Sequence, residues 1–246
     1  MFCAPPAVGV FDLDGTLALL GGPIPDDIIA RLNLFSDKGV QIVFGSGMPV
    51  AYLEGVVRQC RLPGVILIGE NGADMQLGNE SCTPFEFDPS VIFPKFAELK
   101  KEICERFDGV KPRFSRNTVN FTVFFKDKGE KRLIAEVLKG HRQFFKDNSM
   151  YIDEAIDAFS IVPNEATKGN AIRVLAKKLG IDLRKFIAVG NDRNDVSMYE
   201  VVGTSVEISN SLLPLYEGKN HHVVINIHKA MSIVESVIDE MMALVA

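Results

Sequence analysis

A charge-free run, Val8-Gly9-Val10-Phe11, is followed at once by Asp12-Leu13-Asp14-Gly15-Thr16, and no other junction constrains the chain as much. The run is apolar, β-branched and aromatic, so it reads as a short buried strand. Carboxylates are poor strand formers and costly to bury. Two of them, one residue apart at a strand's carboxyl end, repel each other unless a cation lies between them. Ligands of open parallel α/β sheets bind just beyond the carboxyl ends of the strands. The junction therefore predicts a metal-assisted site built on Asp12 and Asp14.

The flanking periodicity predicts the sheet. Asp26 or Asp27 can cap a helix whose apolar positions are Ile28, Ile29, Leu32, Leu34 and Phe35, and Gly39 can end it. Residues 40–44 and 65–68 read as further strands with a helix over 50–60 between them. A β-α-β-α-β order implies parallel pairing with right-handed crossovers. The middle loses that rhythm. It reads as a hairpin or linker pair at 75–89, a helix over 93–106, an alternating strand over 118–126, a helix over 131–145 and strands at 150–153 and 158–162. The rhythm then resumes, with Thr167 and Lys168 opening a helix over 171–179 that Gly180 ends, a strand at 186–189, a helix over 196–201, short strands at 204–208 and 223–225, and a closing helix over 231–244. The expected fold is α/β: a Rossmann-like parallel-sheet core from residues 1–76 and 158–246, interrupted by an α+β insert at 77–157.

Composition narrows the partners. A net charge of −5 offers no basic excess to neutralise nucleic-acid phosphates or anionic lipid, so neither is an expected partner. Cys3, Cys60, Cys82 and Cys104 are dispersed and form no Cys-x-x-Cys pair, which reads as reduced thiols rather than a disulfide framework or zinc site. His221-His222 has no metal-ligand partners spaced nearby and reads as a polar loop. The N-terminus lacks the pattern of a signal peptide, and no apolar run approaches the ~18 residues of a membrane span. A soluble, cytoplasmic protein with no membrane partner is expected; monomer and homodimer both stay open.

Polar clusters follow four of the apolar runs: Asp12 and Asp14; Ser46 and Gly47; Asn71; and Asn191, Asp192, Asn194 and Asp195. A single Asp after a strand is usually a turn or cap residue. Four clusters that a parallel sheet would gather on one edge, with Lys168 at a helix start, point to a site.

The ordered set resembles the haloacid dehalogenase (HAD) superfamily. Asp12-x-Asp14-Gly-Thr16 matches its first motif, Ser46 its second, Lys168 its third and the loop from Gly190 to Asp195 its fourth. Glu70-Asn71-Gly72-Ala73 and the insert resemble members with a class II, type B cap (C2B): Cof-type sugar phosphatases, sucrose- and trehalose-phosphate phosphatases, and eukaryotic phosphomannomutases. The resemblance implies a phosphatase acting on a small phosphorylated metabolite, in particular a sugar phosphate, with Mg²⁺ as cofactor. Asp12 would be the nucleophile and Asp14 the general acid and base. Ser46 and Lys168 would hold the transferring phosphoryl group, with Gly47, Asn71 and Asn194 beside it. Asp12, the Asp14 carbonyl and one side chain of the fourth motif would hold the metal, with Asp195 in support.

Two positions depart from the pattern. Asn191 stands where the metal-binding Asp is expected; Asn191 is the preferred ligand, with Asp192, through a shifted turn, as the alternative. Met48 stands where many relatives have Arg. In the insert, Lys111, Arg113, Arg116, Asn117 and Asn120 surround a strand and read either as a solvated edge or as substrate contacts, with Arg113 or Arg116 on a polar or anionic group and Asn117 beside them. Two rival readings are a phosphomannomutase-like phosphohexomutase and a non-enzymatic metabolite-binding protein that keeps the HAD fold.

Overall fold

In the computed structural model, which describes residues 5–19, 21–209, 211 and 214–243, strand β1 (Val8–Asp12) is followed by α1 (Asp26–Asp37), β2 (Gln41–Gly45), α2 (Val50–Cys60) and β3 (Ile66–Gly69), then by the hairpin β4 (Asp74–Leu77) and β5 (Glu80–Cys82). Next come α3 (Pro89–Glu105), β6 (Phe121–Phe124), α4 (Lys128–Gly140), α5 (Arg142–Asp147), β7 (Met150–Glu154) and β8 (Ala158–Pro163). The remaining elements are α6 (Lys168–Leu179), β9 (Phe186–Gly190), α7 (Val196–Tyr199), β10 (Thr204–Ile208), β11 (His221–Val224) and α8 (Ile227–Ala243). Cys3 and Leu244 lie outside the described residues; Cys60, Cys82 and Cys104 are free thiols.

The main sheet has eight strands in the order β11-β10-β9-β1-β2-β3-β4-β5. Pairing is parallel from β11 through β3 and antiparallel at β4 and β5. The chain winds from β1 toward β3 on one side and from β9 toward β11 on the other, so the order reverses between β1 and β9. That reversal opens a crevice at the strands' carboxyl ends. Alternation along β1 serves both faces. Phe11 joins the apolar layer of α1, α2 and α8, while Val8 and Val10 join that of α6 and α7. All five residues of β1 are buried, as expected of a strand covered on both faces. Burying Phe11 alone is worth roughly 1.5–3 kcal/mol.

The chain divides into two units, one running to Pro84 and resuming at Thr167, the other spanning Phe85–Ala166. The expected insert at 77–157 is therefore displaced toward the C-terminus at both ends. The β4–β5 hairpin extends the core sheet from the edge of β3. Strand β8, expected in the core, instead pairs with β6 and β7 in the second unit's own antiparallel sheet. Helices α3 and α4 cover that sheet through Ile92, Leu99, Ile103, Ile134, Val137 and Leu138.

Four local expectations change as well. Pro25, not Asp26 or Asp27, is the N-cap of α1, and the two carboxylates sit in its first turn, where the helix dipole favours them. Helix α3 starts four residues early, at Pro89, because Asp88 caps it and accepts from the Ser90 N–H at 2.9 Å; Pro94 is carried inside the helix. The single helix over 131–145 is two, α4 and α5, meeting at His141. His221 and His222 lie on the edge strand β11 rather than in a loop. His221 is tied to Ser205 Oγ at 2.8 Å through Nδ1 and to Glu207 Oε2 at 3.3 Å through Nε2. No helix among the described residues is long and apolar enough to cross a membrane.

Candidate active site

The carboxyl ends of β3, β2, β1 and β9 bring the four polar clusters to one edge, because these neighbours run in one direction. Asp12 closes β1 opposite Gly45 of β2, so Ser46 is the next residue along the neighbouring strand. Beyond Asp12 the chain makes a tight turn. Gly15 N–H donates to the Ala18 carbonyl at 2.7 Å and Ala18 N–H to the Leu13 carbonyl at 3.0 Å. Gly15 has φ +82°, and a side chain there would collide with the Asn191 amide. Glycine is needed at this point both for its left-handed backbone and for that close approach.

Lys168 is the ionic centre. It is the first residue of α6, whose N-cap Thr167 accepts from the Asn170 N–H. Its side chain is fully buried. Nζ donates to Asp12 Oδ1 at 2.6 Å and to Asp195 Oδ1 at 2.7 Å. Burial works against the ammonium, but the Asp195 and Asp12 carboxylates outweigh it and hold the Lys168 pKa above its ordinary 10.5. Burial is also the largest influence on Asp12, whose carboxyl is pushed up to about 6 against the pull of Lys168. Asp195 uses its other oxygen to accept the backbone N–H groups of Asn191 at 2.8 Å and Asp192 at 3.1 Å. It thereby shapes the fourth loop while charging its centre.

The backbone of Gly72 presses on the start of α6. With φ +101°, its missing side chain would collide with the Thr167 carbonyl and come within 2.9 Å of Lys168 N. Both obstacles are backbone, so the helix must move to accept even a methyl group. We expect Gly72→Ala to lower stability by roughly 1–3 kcal/mol and to displace Lys168 from its two carboxylates. Denaturant unfolding together with turnover of an aryl phosphate checks this; parental values in both assays refute it.

The Asn191 amide faces the first motif. Its inward atom lies 3.2 Å from Asp12 Oδ2, 3.2 Å from the Asp14 carbonyl oxygen and 2.9 Å from Thr16 Oγ1. Asp192 faces away: it is exposed, and its Oδ1 accepts from the Arg193 N–H at 2.6 Å as the cap of the following turn. One carboxylate, one carbonyl and one amide thus converge. Ligands on adjacent corners around Mg²⁺, with bonds of 2.0–2.1 Å, lie about 2.9 Å apart, so the oxygens present fit a hard cation. No group of three His, Cys, Asp or Glu side chains that could hold a metal forms among the described residues, which makes the carbonyl and the amide essential to any such site.

A second chain of contacts joins the second and fourth clusters. Asn194 Nδ2 donates to Asn71 Oδ1 at 3.0 Å, and Asn71 N–H donates to the Ser46 carbonyl at 2.9 Å. Ser46 is buried and its Oγ accepts the Met48 N–H at 3.1 Å, while Gly47 is exposed. Asp14 is half-buried and its Oδ1 accepts the Gly21 N–H at 3.4 Å. Within the second unit the basic cluster disperses. Lys111 donates to the Cys104 and Phe107 carbonyls, and Arg113 stacks 3.7 Å over Phe124. Asn117 bonds Ser115 and Thr122, Asn120 is buried, and Arg116 is exposed. Thr16, whose hydroxyl links the first and fourth loops, was not among the expected site residues; its place after Asp-x-Asp-Gly is the only local sign of that role.

Comparison with known proteins places the chain in a family. A family model described as haloacid dehalogenase-like hydrolase matches residues 10–103 and 94–223. A phosphoglycolate phosphatase of Methanoculleus marisnigri is 26% identical over 211 residues, covering 82% of this chain and 83% of its own. Among solved structures, a haloacid dehalogenase-like hydrolase from Bacteroides thetaiotaomicron superposes with a TM-score of 0.75 at 18% identity, over 94% of this chain and 99% of its own. The HAD subclass IIB sugar phosphatase BT4131 superposes with a TM-score of 0.65 at 18% identity, over 94% and 98%.

Proposed function

We propose, for a chain that belongs to the haloacid dehalogenase-like hydrolases and is a phosphatase among them, that it hydrolyses a sugar phosphate or similar small phosphorylated metabolite through a phosphorylated Asp12. The observation that carries this reading is the Lys168 ammonium shared by Asp12 and Asp195 at the sheet's reversal point. It offsets part of the burial that raises the Asp12 carboxyl pKa, and it aims that carboxylate and matches the site electrostatically to a phosphoryl group.

Asp12 attacks phosphorus in line, and the bond to the leaving oxygen breaks as Asp14 protonates it. Asp14 then takes a proton from water, which attacks the phosphorus of the acyl phosphate and releases inorganic phosphate with Asp12 regenerated. Lys168 and Ser46 hold the phosphoryl oxygens through both steps, and Asn71 and Asn194 keep the neighbouring loops in register. Asp12, the Asp14 carbonyl and Asn191 would hold Mg²⁺, with Asp195 behind them; when bound, the cation would offset the negative charge of the phosphate ester. Asn191 is preferred to Asp192 as ligand because the Asp192 carboxylate is engaged in its own turn. The second unit, residues 85–166, serves as the substrate-selecting cap, with Arg113 or Arg116, both exposed, to meet an anionic or polar group of the substrate and Asn117 ordering the strand beside them.

A panel of sugar phosphates and an aryl phosphate, assayed for free phosphate with Mg²⁺ and with chelator, tests the reading. The expected result is phosphate release that needs the cation, with Arg116→Ala weakening the preferred sugar phosphate more than the aryl ester. Isomerised sugar phosphate in place of free phosphate would establish the mutase instead, and binding without turnover the non-enzymatic reading.

A further inference from the structure

We infer that the Asn191 side chain is a two-state element that takes the place of the cation when none is bound. The inference rests on the proposed metal site but concerns what this chain has put in it. The inward amide atom is 3.2 Å from Asp12 Oδ2 and 3.2 Å from the Asp14 carbonyl, two oxygens that can accept but not donate. With the amide oxygen inward, three oxygens face one another and only a cation reconciles them. With the amide turned over, its two N–H bonds point at Asp12 Oδ2 and the Asp14 carbonyl, each 3.2 Å from the nitrogen, with Thr16 Oγ1 at 2.9 Å as a third acceptor that can share them. The same two oxygens are satisfied either way, by a metal or by two N–H bonds.

Without a cation the surroundings favour the turned-over amide, because with the oxygen inward it faces acceptors and its nitrogen faces donors; the Thr16 hydroxyl alone suits both orientations. The Thr16 hydroxyl can donate to the amide oxygen or accept from the amide nitrogen at the same 2.9 Å. The backbone of residue 191 is held by Asp195 Oδ2. On the side of the first loop, only the absence of a side chain at Gly15 gives the amide room. The charge balance points the same way. Asp12, Asp195 and Lys168 sum to −1, and an Asp at 191 would add a second uncompensated charge facing Asp12. An amide avoids that repulsion, and in doing so removes the electrostatic pull that would draw a divalent cation in. The chain therefore keeps a well-ordered site without metal and binds the cation weakly, so occupancy follows the free cation concentration.

Melting curves and direct binding of Mn²⁺, followed by electron paramagnetic resonance, test this without any substrate. The parent is expected to melt at nearly the same temperature in chelator and in modest Mg²⁺. Asn191→Asp is expected to melt several degrees lower in chelator, to recover with Mg²⁺, and to bind Mn²⁺ about tenfold or more tightly, since affinity follows the charge of the ligand set. Asn191→Ala, which lacks both the donors and the charge, is expected to melt lower in chelator with no gain in Mn²⁺ affinity. Equal Mn²⁺ affinity in parent and Asn191→Asp, or equal melting of parent and Asn191→Ala in chelator, overturns the inference even if the chain proves to be a Mg²⁺-dependent phosphatase. If the binding contrast holds while no phosphate ester is turned over, it is the catalytic reading that fails.

Discussion

Asparagine at position 12 lowers phosphate release by on the order of 10⁴-fold or more, the scale on which removing a nucleophile acts, while the protein still folds. The amide is nearly isosteric, and Lys168 keeps Asp195 as a partner at 2.7 Å, so the loss falls on chemistry rather than structure. Trapping of radiolabelled phosphoenzyme in the parent and not in Asp12→Asn is the direct measurement; equal turnover in the two proteins would sink the mechanism. The same carboxyl sets a pH signature. Burial pushes it up to about 6, and only the ionised form attacks, so kcat/KM at limiting cation falls as pH drops through that value. Stability moves in the opposite sense. The folded state holds the Asp12 proton more firmly than the unfolded chain, where the usual value is 3.8. This group's contribution is therefore fully present below about 3.8 and is lost as pH rises through about 6. In chelator, Asp12→Asn should lose less stability than the parent between pH 4 and pH 7.

Lys168→Met is expected to be strongly destabilising to the core unit. The ammonium is fully buried between two carboxylates. Its removal leaves Asp12 and Asp195 with no cation between them. Breaking a buried ion pair from one side costs about 3–5 kcal/mol, and one of the two acids will take up a proton to limit the damage. Turnover should fall by on the order of 10²–10³-fold as well, because a preorganised donor to the phosphoryl oxygens is gone. Lys168→Arg restores the charge but not the fit, since a planar fork cannot replace a compact ammonium in a fully buried position. Urea unfolding with parallel aryl phosphate assays decides the matter; a stability loss below ~1 kcal/mol with normal turnover contradicts the role assigned to Lys168.

The strands and helices of the core unit are legible in the chain because each rests on a local cue. Val8–Phe11 has no charge to keep it out of a sheet, and Thr167 and Gly180 punctuate α6 at its two ends. Where several local readings compete, the chain is ambiguous. The helix expected over 93–106 begins instead at Pro89, and Pro94 is carried inside α3 once Asp88 supplies an earlier cap. Strand β8 is plain as a strand, but whether it belongs to the core sheet or to the second unit depends on its pairing with β6 and β7. Backbone hydrogen-bonding capacity is the same on every strand, so only tertiary packing assigns the partner.

The site divides along the same line. The amino-acid sequence by itself determined that carboxylates, hydroxyls and amides follow four of the apolar strands, and parallel winding then obliges those residues to share an edge. It could not determine their mutual bonds. Lys168 meets Asp12 across 156 residues, and Thr16 meets Asn191 across 175. No periodicity spans such separations. Ungapped alignment with the fourth motif favours Asn191 over Asp192, but which of two adjacent side chains the turn sends inward is set by tertiary bonds. The backbone bonds from Asn191 and Asp192 to Asp195, with Gly15 leaving space opposite, turn the first inward and the second to solvent.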